Sequence, residues 1–193
     1  MKKNENLKLL ALFAVIVLLG VGIAYAALST TLTITFGKVT QNALTWKVGF
    51  TGTSATGTRA GTSATGASCG AATITESAVT VADTTLSKPD DKCTWTLTVK
   101  NSGTVGAKLT TITPSAPSST TCGTLSGGNM VCGNITYMLT SDANGTTVLP
   151  ANTTLAAGAS QTVYLVAKYN AAGVQSTAIT QSGAKFTLVY AQA

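Results

Sequence analysis

The chain has 193 residues, of which only 9% are charged, and it contains no histidine. The usual general base is therefore missing, and the carboxylates beyond residue 26 are only Glu76, Asp83, Asp90, Asp91 and Asp142, from which no catalytic constellation can be assembled. Lys2, Lys3, Lys8 and Glu5 carry +2 of the formal +6 within the first 26 residues, and the remaining +4 is scattered without a Lys/Arg cluster, which argues against nucleic acid as a partner.

The N-terminus has the layout of a secretion signal. Lys2 and Lys3 precede a nearly unbroken apolar run, Leu7 to Ile23, and Ala24-Tyr25-Ala26 is the small-x-small pattern cut by signal peptidase. The run is about 17 residues long, at the short limit for a spanning helix. The Ala-x-Ala end favours cleavage over a permanent membrane anchor. A type IV pilin leader is cut before its apolar stretch, after a Gly that follows basic residues, and no such Gly stands here.

Immediately beyond the expected cut, Ala27 to Phe36 alternates with period two. Leu28, Leu32, Ile34 and Phe36 share one face, and Ser29, Thr31, Thr33 and Thr35 the other. Cleavage leaves this apolar strand at a free end, where it must be buried in its own subunit or in a neighbour.

Further strands follow in chain order. Ala43–Thr51 aligns Leu44, Trp46, Val48 and Phe50. Residues 52–70 hold a repeat, Gly52-Thr-Ser-Ala-Thr-Gly57 and Gly61-Thr-Ser-Ala-Thr-Gly66, and read as an exposed low-complexity insert. Cys93–Lys100 aligns Cys93, Trp95, Leu97 and Val99 ahead of an Asn101-Ser102-Gly103 turn. Thr162–Tyr169 aligns Val163, Leu165, Ala167 and Tyr169, and Lys185–Ala191 aligns Phe186, Leu188 and Tyr190. Weaker candidates are Ala72–Ala82, Ala107–Thr113 and Asn134–Thr140. No helical period appears after the signal. About eight strands separated by Gly, Asn, Asp, Ser and Pro read as an all-β fold, a two-sheet β-sandwich of jelly-roll or immunoglobulin-like type.

The four cysteines, at 69, 93, 122 and 132, all lie in the exported part, and an even count there implies two disulfides. Zinc is the rival, but there is no CxxC pair and no His to support it. Symmetry about turns favours Cys69–Cys93, around Val81–Asp83, and Cys122–Cys132, around Gly127-Gly128.

Other motifs are thin. Asp83, Asp90 and Asp91 could at most contribute to a weak calcium site, and Asp90-Asp91 after Pro89 reads more simply as a solvated turn. The Gly-rich insert lacks the Gly-Lys-Ser/Thr ending of a phosphate loop. Leu149-Pro150-Ala-Asn-Thr153 lacks the final Gly and apolar tail of a sortase signal. Asn134-Ile-Thr136, Asn144-Gly-Thr146 and Asn152-Thr-Thr154 are sequons that export would make available for N-glycosylation. No metal or cofactor is expected.

The leader Leu7–Ala26, the adjoining Leu-Ser-Thr-Thr-Leu-Thr-Ile strand and the Trp-Thr-Leu-Thr-Val-Lys-Asn-Ser-Gly-Thr-Val-Gly-Ala-Lys-Leu109 segment resemble the TasA/camelysin family. They resemble more closely its archaeal relatives, the bundling pilins. The resemblance implies secreted jelly-roll subunits that polymerise by donor-strand complementation into biofilm matrix fibres, often bundled. Camelysin has been described as a metalloprotease, but this chain has no His-Glu-x-x-His motif, so that activity is not carried over. The cysteines and the Gly/Thr insert also depart from the bacterial members and fit an extracellular fibre selected for durability, since a disulfide typically adds about 2–4 kcal/mol; the resemblance to the bundling pilins implies an archaeal source.

These readings give a set of expectations. Residues 1–26 are a cleaved signal, 27–36 a donor strand, and 37–193 one sandwich domain. The chain is a secreted structural subunit at the cell surface. Its partners are signal peptidase during export and then further copies of itself, joined head-to-tail and bundled laterally. The donor inserts Leu28, Leu32, Ile34 and Phe36 into a groove lined by Trp46, Phe50, Trp95, Leu97, Leu165 and Phe186. The alternative from another class is a monomeric binding or adhesion module that keeps its first strand at home.

Overall fold

The computed structural model describes residues 44–61, 67–118, 121–170 and 180–193. The expected signal, residues 1–26, and the expected donor strand, 27–36, lie outside the described residues. No helix occurs among the described residues, and none is long and apolar enough to cross a membrane.

The chain is all-β, and its main sheet is built on two ten-residue strands, β6 (Lys92–Asn101) and β12 (Ser160–Tyr169). They pair antiparallel from Lys92↔Lys168 to Lys100↔Ser160. β12 continues through β10 (Ile135–Thr140) and β9 (Asn129–Cys132) to β8 (Cys122–Ser126). The other side of β6 is shared by β1 (Val48–Thr51), on its C-terminal half, and β3 (Thr58–Ala60), on its N-terminal end. A second sheet has the order β11 (Thr154–Leu155), β7 (Ala107–Ser115), β13 (Lys185–Gln192). A third joins β2 (Ser54–Ala55), β4 (Ala72–Ile74) and β5 (Val79–Val81).

The period-two pattern explains how these layers stack. In β6 the odd residues Cys93, Trp95, Leu97 and Val99 are buried, while Thr96 and Lys100 face solvent. That one face is covered along its length by both small sheets. Val99 and Val163 pack with Ala107, Leu109, Ile112 and Leu155 of the β7 sheet. Trp95, Leu97 and Cys93 pack with Ala72 and Ile74 of the β4 sheet. Phe50 lies against both clusters. Burying side chains of this size contributes about 1.5–3 kcal/mol each.

Several expectations are corrected here. The strand expected over Ala43–Thr51 begins only at Val48, with Leu44 and Trp46 exposed at 70% and 46%. Residues 44–47 run past the end of β6, where Lys47 O accepts from Ser102 N and Thr45 O from Thr104 N. No sheet among the described residues faces them there. Residues 52–70 are also not a bare loop, since they supply β2 and β3. Gly57 makes this possible, because a Cβ there would meet the Trp95 ring nitrogen at 2.7 Å. Ala72–Ala82 is a hairpin, β4 and β5, rather than one strand. The Cys122–Cys132 segment is the β8–β9 hairpin, turned at Gly127, whose φ of 54° suits glycine.

Cys69 is bonded to Cys93, and Cys122 to Cys132, the pairs favoured by turn symmetry. The first links the repeat segment to the buried start of β6; the second clamps β8 to β9.

Candidate functional site

The cluster between the long sheet and the β7 sheet differs at its two sides. On one side, Leu149 N donates to Leu139 O at 2.8 Å and Thr140 bridges to Val148, so the approach to β11 is tied to β10. β13 lies at the other edge of the small sheet, and its inward residues pack on the same cluster as those of β1. There the packing residues are only half-buried: Val48 and Phe50 from β1, and Phe186, Leu188 and Tyr190 from β13.

Each strand reaches this rim for a local reason. β13 alternates Lys-Phe-Thr-Leu-Val-Tyr-Ala-Gln, so Phe186, Leu188 and Tyr190 turn inward while Thr187 and Val189 turn out. Its inner edge is held by β7 from Lys185↔Ser115 to Gln192↔Ala107. Its outer edge has no partner among the described residues. β1 differs, because Phe50 N donates to Glu76 O at 2.8 Å. Glu76 also pairs with Lys47 at 3.3 Å and lies where a Cβ on Gly49 would stand. Among the described residues the rim thus leaves the outer edge of β13 unpaired above an apolar floor.

The rim's polar groups are sparse. Burial pushes the Tyr190 phenol above its ordinary pKa, and its hydroxyl, like the Gln161 side-chain oxygen, is buried without a partner. Such an arrangement can take up an extended apolar segment, completing the sheet through backbone bonds and the core through alternate side chains.

The six residues expected to line one groove do not share one. Phe186 and Phe50 are at the rim. Trp95 and Leu97 are 2% and 3% exposed beneath the β4 sheet, with Leu165 packed beside them, so they are core and not groove. Trp46 is on the surface beyond the sheet end. Val48, Leu188 and Tyr190 belong to the rim and were not on that list, although the alternation places each of them with a residue that was. The donor residues Leu28, Leu32, Ile34 and Phe36 lie outside the described residues.

Elsewhere, an open cavity of about 550 Å³ lies between β7 and the β8–β9 turn, lined by Thr110, Ile112, Gly127, Asn129, Val148 and Leu149. Asp90 pairs with Lys168 at 3.4 Å, and Asp91 is fully buried, its Oδ2 accepting from Ser87 N and Lys88 N. This corrects the solvated-turn reading of Asp91, which caps the turn from inside. No His/Cys/Asp/Glu group that could hold a metal occurs among the described residues. Asn144 and Asn152 are exposed in turns and Asn134 is half-buried beside β10.

No protein-family model, curated protein or solved structure matches this chain.

Proposed function

We propose that this chain is the structural subunit of an extracellular filament, polymerising head-to-tail by donor-strand complementation. In this reading residues 27–36 leave their own subunit and lie along β13 of the next. The observation that carries it is the β13 rim: an eight-residue strand whose outer edge has no partner among the described residues, above a half-covered apolar floor. The sequence supplies a matching piece, because Leu28, Leu32, Ile34 and Phe36 alternate with the period of Phe186, Leu188 and Tyr190. Burying four such side chains contributes about 6–12 kcal/mol before ordering costs. A head-to-tail contact of this kind does not close on itself, so repetition gives a fibre.

The resemblance to the TasA/camelysin family and the archaeal bundling pilins supports the same reading, with jelly-roll subunits and lateral bundling in a biofilm matrix. The two disulfides fit an oxidising, extracellular setting. Export through the 1–26 signal belongs to the proposal.

The test is negative-stain electron microscopy of the natively secreted protein, with N-terminal sequencing of the same sample. Long fibres whose subunits begin at or near Ala27 are expected. Monodisperse monomers with that N-terminus would replace the filament by the binding module, and fibres retaining residues 7–23 would point to a helical-core pilin.

A further inference from the structure

The described strands leave several open edges, and they are not equivalent. The long sheet ends at β8, which buries no side chain, is bulged between Cys122 and Thr124, and is stapled to β9 by a disulfide. β2 and β5 have two and three residues. Those edges are poor templates for another strand. The β7 sheet has two better ones, the outer edge of β13 and the edge of β7 beyond β11.

The β7 edge follows from its hydrogen bonds. Leu109 N donates to Thr153 O and Leu109 O accepts from Asn152 N, so the inward-facing residues of β7 direct their backbone groups toward β11. β11 pairs only with Ala107 and Lys108. The register against β13 then skips Thr110, and the inward phase passes from Leu109 to Ile112 and Pro114. The next groups aimed at that edge are those of Ile112 and Pro114. Pro114 has no N–H to donate.

We infer that Pro114 makes strand addition one-sided, so that the β7 sheet takes residues 27–36 of a second copy along β13 and refuses them along β7. This rests on the donor-strand reading. The occupant is set by the chain preceding Leu44: a ten-residue alternating segment, long enough for the eight-residue β13, followed by the linker 37–43. That linker spans up to about 25 Å when extended, enough to reach a neighbouring copy. A subunit with two usable edges could take two donors, and fibres would fuse or branch. Pro114 removes the second edge without affecting the first, because it faces away from β13.

The experiment uses the full precursor chain, secreted and then followed by electron microscopy and low-speed sedimentation. Pro114→Thr restores the donor; the expected result is fused or branched fibres and a several-fold larger pelleted fraction. Leu188→Pro removes a donor on the outer edge of β13 and should abolish fibres, whereas Leu188→Ala, which keeps that N–H, should still form them. If Pro114→Thr is not secreted, Pro114→Ala restores the same N–H and serves in its place. Fibres of Pro114→Thr that match the natural ones in width, branching and sedimentation overturn the inference alone, whereas Leu188→Pro polymerising like Leu188→Ala overturns the β13 docking on which both readings rest. Monomers of the natural chain overturn the filament reading, and this inference with it.

Discussion

The side-chain amide of Asn101 donates to the Leu155 carbonyl at 3.1 Å, joining the end of β6 to β11 across the two sheets. The same amide reaches Val105 O at 2.8 Å and Ala156 O at 3.2 Å, and its oxygen accepts from Gly103 N at 3.1 Å. Asn101 is fully buried, so its own amide has no water as a substitute. Asn101→Leu takes the amide from Val105 O and Leu155 O, while Gly103 N keeps Lys47 O and Ala156 O keeps Ala159 N, at a cost on the order of 1–3 kcal/mol. Asn101→Asp should be worse, since it aims a carboxylate at those carbonyls. Urea unfolding of both variants checks this; a midpoint within error of the natural protein would show that the joint is dispensable.

The two disulfides should differ in worth. Loop-closure entropy assigns about 3.5 kcal/mol to Cys69–Cys93, with a sequence separation of 24, and about 2.7 kcal/mol to Cys122–Cys132, with a separation of 10. Packing widens the gap. Cys93 is in the cluster of Trp95, and Trp95 Nε1 donates to Gly70 O at 2.7 Å, just after Cys69. Cys122 and Cys132 join strands already paired in one hairpin. Replacing Cys69 and Cys93 by Ser should lower the melting temperature more than replacing Cys122 and Cys132. Calorimetry showing the reverse order would contradict this account.

Strands whose side chains alternate cleanly were legible from the residues alone. β6, β12 and β13 lie within two residues of their expected bounds, because one face of each turns toward the core along its whole length. β7 was weaker for a physical reason: the bulge at Thr110 moves the buried phase from Leu109 to Ile112, so no single period fits. β2 and β3 were invisible, since their place depends on Trp95 pressing on Gly57 and not on apolar side chains of their own. Alternation likewise marks Trp95, Leu97 and Phe186 as inward. It does not say that the β4 sheet covers the first two while the rim leaves the third half-exposed.

Acid should loosen the loop after β10. The Asp142 carboxylate accepts from Thr147 N at 2.6 Å, and from Thr146 N and Asn144 N. The Thr147 bond foremost lowers its pKa from 3.8 to about 2. A pKa depressed in the folded state gives stability that is present above the unfolded value and lost as pH falls through the folded one. The contribution should therefore be complete above about pH 4 and gone near pH 2. Melting temperatures of the natural chain and Asp142→Ala, compared from pH 5 to 2, should converge across that window. A constant difference would mean that the loop does not depend on the charge.

The donor strand makes the most direct prediction. Leu32 and Ile34 are neighbours on its apolar face, so both enter the same floor beside Leu188 if 27–36 adds to β13. Changing both to Asp asks the rim to desolvate two carboxylates against the half-buried side chains of Val48, Phe50, Phe186, Leu188 and Tyr190. Burying an unpaired ionised group costs far more than the roughly 1.5–3 kcal/mol that each apolar side chain contributes. The double variant should be exported at the natural level, since residues 1–26 are untouched, and should accumulate as monomer on size-exclusion chromatography. Ser29→Asp with Thr33→Asp, on the opposite face, should still polymerise, because those side chains stay in water. Fibres formed equally by both double variants would mean that the strand's apolar face does not hold subunits together, and the filament reading would have to find its contact elsewhere.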